Sequence, residues 1–283
     1  MKCTLLAPAK LNLFLEITGR RSDGYHIVNM VMQSVSLYDE VTLITDEEDE
    51  GINVECSDSN IPCDETNTAY KAVKLFFECT DAEPVGVTVR IKKNIPSQAG
   101  MAGGSTDAAA VLIGLNEMFG TGLSKHELAE IGEKIGADVP FCIYGGTMTA
   151  DGIGTILNPL PDMPECTFAV VKPEINISTG EAYRKSDEVG YDFPKSADRV
   201  VSGICSGDIE ETAKGLYNRF ETVVDIPEIE EIKSAMIRAG ALGACLTGSG
   251  SAIFGIFEDT VPDLDIDLEP YILHPVSGVI FDD

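Results

Sequence analysis

The chain has 283 residues, 44% apolar and 24% charged, with 47 acidic against 20 basic side chains and a formal net charge of −27. That length exceeds one ordinary domain core and implies two compact units, while the acidity repels nucleic-acid phosphates and anionic lipid, so neither nucleic acid nor membrane is an expected partner. No apolar run approaches the roughly 20 residues of a membrane span, no export signal is visible, and the eight cysteines are scattered without a metal or disulfide spacing; a cytoplasmic protein with reduced thiols is expected.

In chain order, Leu11, Leu13, Leu15 and Ile17 alternate with Asn12, Phe14 and Glu16, which predicts a strand with Lys10 and Asn12 on the face opposite the leucines. "GRRSDGYH" follows as a turn. "EVTLIT" and "INVEC" read as strands separated by consecutive carboxylates over Asp46–Glu50, a composition that favours an exposed loop tip. Ala69, Ala72, Val73, Phe76 and Phe77 recur at helical spacing, with Asn67 or Thr66 as N-cap and an end near Cys79. Val85, Val87, Val89 and Ile91 then alternate as a strand that delivers the chain into "NIPSQAGMAGGSTDAAA", and Val111, Leu112, Leu115, Met118 and Phe119 form the stripe of an amphipathic helix beyond it.

"SKHELAEIGEKIG" is a further helix, capped by Ser124 with Glu127 and closed near Gly136. The proline-dense "NPLPDMPE" is the candidate linker, dividing the chain into 1–157 and 158–283. A strand in "TFAVVKP", helices over 209–223 and 227–239, a strand in "SAIFGIF" and a final edge in "GVIFDD" complete a mixed α+β order.

A strand, a loop of small residues and a helix N-terminus can wrap a phosphate with bare backbone N–H groups and the positive end of the helix dipole. In that reading Gly100, Gly103 and Gly104 clear room for an anion and Ser105 and Thr106 add hydroxyl donors; a tight strand-to-helix connection would use the same small residues. The stretch is neither GxxxxGK[ST] nor GxGxxG, so the P-loop and dinucleotide fingerprints do not apply.

Taken in order, "PAKLNLFL", "IPSQAGMAGGSTDAAA" and "CLTGSGSAIFG" resemble the three motifs of the GHMP kinase superfamily of small-molecule kinases. "PAKLNLFLEITGRRSDGYH" and "GADVPF" are similar to its branch that phosphorylates a cytidine diphosphate alcohol in the non-mevalonate isoprenoid route, and the resemblance runs from Pro8 to about Gly255. It implies a two-domain GHMP kinase fold, with an N-terminal domain like ribosomal protein S5 domain 2 and a C-terminal ferredoxin-like domain, and it implies ATP with Mg²⁺. Lys10 and Asp138 match the catalytic pair, with Asn12 at the reacting end.

By the same resemblance Tyr25 stacks on the cytosine, His26 hydrogen-bonds it and Tyr183 stacks on its other side. Gly248 and Ser249 belong to a glycine turn that closes on the substrate. Pro96, Gly100, Met101, Ala102, Gly103, Gly104, Ser105 and Thr106 form the triphosphate cradle, with Asn67 and Lys93 near the adenine and its sugar. Gln98, Ala99, Met101 and Ala102 depart from the family, which often has more glycine or a leucine there. The metal ligands stay open, as does the choice between monomer and homodimer. The rival readings are a homoserine, mevalonate or sugar kinase, which has no cytosine for "DGYH" to meet, and a silent nucleotide-binding regulator, which would be expected to lose Asp138 or Lys10.

Overall fold

The computed structural model describes residues 1–48, 51–192 and 194–282. Its spine is a long antiparallel hairpin of β1 (Lys2–Arg20) and β2 (His26–Asp46), joined by the expected Asp-Gly turn. There follow β3 (Ile52–Cys56), α1 (Thr68–Cys79), β4 (Gly86–Lys92), α2 (Gly103–Phe119), α3 (Lys125–Glu133), α4 (Val139–Tyr144), β5 (Thr147–Asp151) and β6 (Ile156–Pro159). The second half carries β7 (Thr167–Val171), α5 (Thr179–Val189), α6 (Asp198–Ser206), α7 (Ile209–Lys214), β8 (Tyr217–Asn218) and a 3₁₀ turn, Arg219–Thr222. It ends with α8 (Pro227–Arg238), β9 (Gly243–Leu246), β10 (Ile253–Phe257), β11 (Tyr271–Leu273) and β12 (Ile280–Phe281).

Two sheets result. The first runs β12-β1-β2-β4-β3, with β5 joining β2 to β6 and β8 lying parallel to β1. The second runs β11-β7-β10-β9, all antiparallel. Numbered within its own domain, that sheet has the ferredoxin-like order 4-1-3-2; the connection from β10 to β11 lacks a helix among the described residues. The chain passes from the first sheet to the second over residues 160–166, and the division expected between 157 and 158 falls inside β6.

Several elements form for the anticipated reasons. Asn67 caps α1 by accepting the Ala69 N–H, and Ser124 with Glu127 makes a reciprocal capping box at α3. The expected alternation in β1 differs in an informative way. A register shift between Asn12 and Phe14 inserts Leu13 as an extra residue, and one extra residue turns every later side chain to the other face. Leu11, Leu13 and Phe14 therefore enter the core between the two sheets, whereas Leu15 and Ile17 enter the core beneath α1, α2 and α3. Both faces of β1 are buried, so Lys10 and Asn12 lie inside the molecule.

The helix expected over 209–223 is broken after Lys214. A Cβ on Gly215 would lie 2.7 Å from the backbone N of Val200, so close packing of α6 on α7 fixes a bend there. The bend releases β8, whose Asn218 donates its side-chain N–H groups to the carbonyls of Leu246 and Gly248, both at 2.8 Å. Of the expected acidic loop tip, Asp46, Glu47 and Glu48 are exposed, and Asp49 and Glu50 lie outside the described residues.

Candidate active site

One cavity of about 860 Å³ opens where β1, the loop leading into α2 and the turn after β9 converge. Main-chain hydrogen bonds lock these distant segments together. The Lys10 N–H donates to the Met101 carbonyl at 3.1 Å. The Asn12 N–H donates to Thr247 Oγ1 at 3.0 Å, and that hydroxyl donates onward to the Gly100 carbonyl at 3.3 Å. The Gly248 N–H donates to Asn12 Oδ1 at 3.0 Å. Each such bond contributes only about 1 kcal/mol net, but leaving any of these buried groups unpaired would cost more, so the three segments keep one relative position.

Within that frame Lys10 Nζ lies 3.9 Å from Asp138 Oδ2, and the two side chains are 5% and 35% exposed. Asp138 occupies the N-cap position of α4 but makes no capping hydrogen bond, which leaves its carboxylate free toward the cavity it lines. Lys10 also donates to Asn12 Oδ1 at 2.5 Å, so Asn12 aims the ammonium and simultaneously holds the glycine turn. A solvent-reachable carboxylate beside a fixed ammonium can accept a hydroxyl proton while the cation steadies developing charge. Burial, reinforced by the Asp138 charge, pushes the Tyr183 phenol up to about 12, so Tyr183 stays neutral beside it.

The loop from Pro96 to Ser105 forms one wall of the cavity. Its glycines also meet the packing requirement of a tight strand-to-helix connection. A Cβ on Gly100 would sit 2.1 Å from the Thr247 carbonyl oxygen, one on Gly103 would meet Lys93 Nζ at 3.1 Å, and one on Gly104 would meet Thr68 Oγ1 at 3.2 Å. The missing side chains let protein press on protein, while the backbone faces the cavity. Of the departures, Ala99 and Met101 are buried anchors in the core between the sheets, whereas Gln98 and Ala102 take left-handed dihedrals, with φ of 54° and 59°, that glycine would adopt at lower cost. No side chain caps α2, so its N-terminal dipole is directed at the cavity wall.

Ser105 lines the cavity, but Thr106 is fully buried beneath the helix and does not; successive residues on a helix point about 100° apart, so only one of the two hydroxyls can face outward. Asn67 lines the cavity with its side chain already committed, to the Ala69 N–H and to the Pro62 carbonyl. Lys93 is buried between the carboxylates of Asp39 and Asp107, the latter at 2.7 Å. Burial opposes its charge, and the two carboxylates more than offset that and raise its pKa. Asp39 also accepts the N–H groups of Asn94 at 2.6 Å and Ile95 at 2.9 Å, which fixes the start of the loop.

At the other end, the His26 and Tyr183 rings stack face to face with centroids 4.3 Å apart, and Tyr183 meets Phe220 edge-on. That separation leaves no space for a base between His26 and Tyr183. Tyr25 is 59% exposed and is not part of the cavity wall. His26 Nε2 pairs with Asp187 Oδ1 at 2.8 Å, Tyr191 also donates to Asp187, and Arg20 reaches its other oxygen at 3.0 Å. The Tyr191 hydrogen bond, then His26 and Arg20, hold the Asp187 carboxyl below its usual range. Ser249 lines the cavity and shares a hydrogen bond with Thr179 at 2.7 Å. Asp39, Asp107, Asp187, Asn218 and Thr247 escaped the sequence reading, since the partners that tie them to the site, Asn94, Lys93, His26, Leu246 and Asn12 respectively, lie 14 or more residues away.

The GHMP kinases N terminal domain model matches residues 67–146, and the GHMP kinases C terminal model matches residues 200–264. The 4-diphosphocytidyl-2-C-methyl-D-erythritol kinase of Caldicellulosiruptor saccharolyticus is 46% identical over 255 residues, covering 89% of this chain and 87% of that one. The enzyme of the same name from Clostridium tetani is 43% identical, covering 89% of each. A crystal structure of 4-(cytidine 5'-diphospho)-2C-methyl-D-erythritol kinase superposes with a TM-score of 0.79 at 30% identity, over 98% of this chain and 100% of that one. A homoserine kinase from Cytophaga hutchinsonii superposes at 0.78 but with 18% identity, over 99% of this chain and 97% of that one; this shares the fold alone.

Proposed function

The chain belongs to the GHMP kinase family, as a member of its 4-diphosphocytidyl-2-C-methyl-D-erythritol kinase group, and from that premise we propose how its cleft performs the reaction. It is an ATP-dependent small-molecule kinase that phosphorylates the 2-hydroxyl of 4-diphosphocytidyl-2-C-methyl-D-erythritol, giving the 2-phosphate and ADP in the methylerythritol phosphate route. The observation that carries the mechanism is the Lys10–Asp138 pair, 3.9 Å apart on the wall that continues into the glycine loop.

Asp138 accepts the proton of the attacking hydroxyl. Lys10, aimed by Asn12, stabilises charge on the phosphoryl group in transit. The backbone of Gly100–Ser105 and the uncapped start of α2 hold the phosphates, with the adenosine toward Pro96 and Asn67; Lys93 supports the loop from beneath. Mg²⁺ would enter with the triphosphate and would neutralise charge on it. Tyr183 and His26 form the cytidine platform, with Tyr25 free to fold over the base; stacking of that kind is worth roughly 1–3 kcal/mol per ring in single-stranded nucleic-acid sites. Ser249 and the Gly248 turn close the acceptor end.

ADP release measured with four acceptors tests the substrate assignment. Turnover is expected with 4-diphosphocytidyl-2-C-methyl-D-erythritol and not with homoserine, mevalonate or a hexose. Activity on one of the latter alone would overturn it.

A further inference from the structure

The Asp39–Lys93–Asp107 cluster carries two carboxylates and one ammonium, all nearly excluded from solvent. The two acids are not equivalent. Asp39 is fully engaged, with Oδ1 accepting two backbone N–H groups and Oδ2 accepting Lys93. Asp107 gives Oδ2 to Lys93, but its Oδ1 is buried without a partner, and Asp107 lines the cavity beside Gly103, Gly104 and Ser105. The other titratable groups that face it are the thiols of Cys56 from β3 and Cys142 from α4, both raised by burial and therefore uncharged at neutral pH. With both acids ionised the cluster holds a net charge of −1 directly beneath the loop assigned to a polyanion.

We propose that binding of the nucleoside triphosphate drives a proton from solvent onto Asp107 Oδ1, so that the cluster under the loop becomes neutral. The inference rests on the assignment of ATP to this wall. A second negative charge close by favours the neutral form of a carboxylic acid, and the proton goes to the less satisfied of two coupled acids. Protonation also changes what the buried Oδ1 offers, from an acceptor without a partner to an O–H donor. Burial has already raised Asp107 to about 7 before any ligand arrives, so a modest further push is sufficient. The sign follows: the nucleotide-bound form retains the proton to higher pH than the free form, so affinity is greatest at low pH and falls as pH rises past about 7.

The test is calorimetry of Mg-ATP binding without acceptor at pH 8, in buffers of low and high ionisation enthalpy, on wild type and Asp107→Asn. The expected slope is uptake of about half to one proton in wild type and about zero in the variant. A slope of zero in wild type, or the same slope in both proteins, would overturn the proposal. Should Asp107→Asn not fold, wild type alone decides: log KM for ATP should climb between pH 7 and 9 with a slope approaching one, and a flat profile contradicts it. Absence of Mg-ATP binding at every pH would overturn the nucleotide assignment, and this inference with it.

Discussion

Two lysine–carboxylate sites line the same cavity, and they are built in opposite ways. Lys93 is clamped between Asp39 and Asp107 at hydrogen-bonding contact, with all three side chains nearly excluded from water. Lys10 stands 3.9 Å from Asp138, whose side chain is 35% exposed and makes no capping bond. A desolvated pair in tight contact resists any change of partner, because separating it leaves an uncompensated buried charge. A looser pair with one wet member can admit a hydroxyl between its partners and exchange a proton. The first arrangement holds a loop in place, with only the unpaired Oδ1 of Asp107 open to a proton; the second can exchange one with a substrate hydroxyl.

Substitutions can break this contrast. The largest effect is expected from Lys10→Met: kcat should fall by about 10²–10⁴, the range for loss of a group that positions a base and stabilises transferring charge, as read by ADP release at saturating substrates. Lys93→Met should instead appear as lost stability, about 3–5 kcal/mol in denaturant unfolding, because two buried carboxylates lose their counter-ion. If Lys93→Met kept its stability and lost only kcat, the two roles would have to be exchanged. Gly100→Ala forces a Cβ against the Thr247 carbonyl at a backbone φ of +75°. It should cost about 1–3 kcal/mol and raise the KM for ATP, because the loop must retreat from the turn. The smallest effect is expected from Asp187→Ala, which frees the His26 ring at the acceptor end: a rise of a few-fold in acceptor KM, equivalent to about 1 kcal/mol, with the KM for ATP unchanged.

The contrast also marks what could be read from sequence. Lys10 and Asp138 sit in short motifs, "PAKLN" and "GADVPF", and only the resemblance to the GHMP kinases paired them in advance; the fold sets them 3.9 Å apart. Asp39 was not legible, since its partners lie 54 to 56 residues away and a lone aspartate within a strand gives no periodic signal. Asp107 was passed over inside the glycine stretch because its meaning depends on which way the helix turns. The same is true of Thr106, where only the rotational phase of α2 separates a cavity hydroxyl from a buried one. In β1 the alternation identified the strand but not its faces, because a single bulge at Leu13 reassigns Leu15 and Ile17 to the other core. Local patterns reveal elements and motifs; pairing across the fold decides which charged groups are free to react.

The most direct measurement is the single-turnover rate of Asp138→Ala with 4-diphosphocytidyl-2-C-methyl-D-erythritol at saturating ATP, alongside its affinity for Mg-ATP. Loss of the base predicts a rate lower by about 10²–10⁴ with nucleotide binding largely retained. A near-normal rate would contradict the assignment of Asp138 as the proton acceptor and, with it, the account of the cleft.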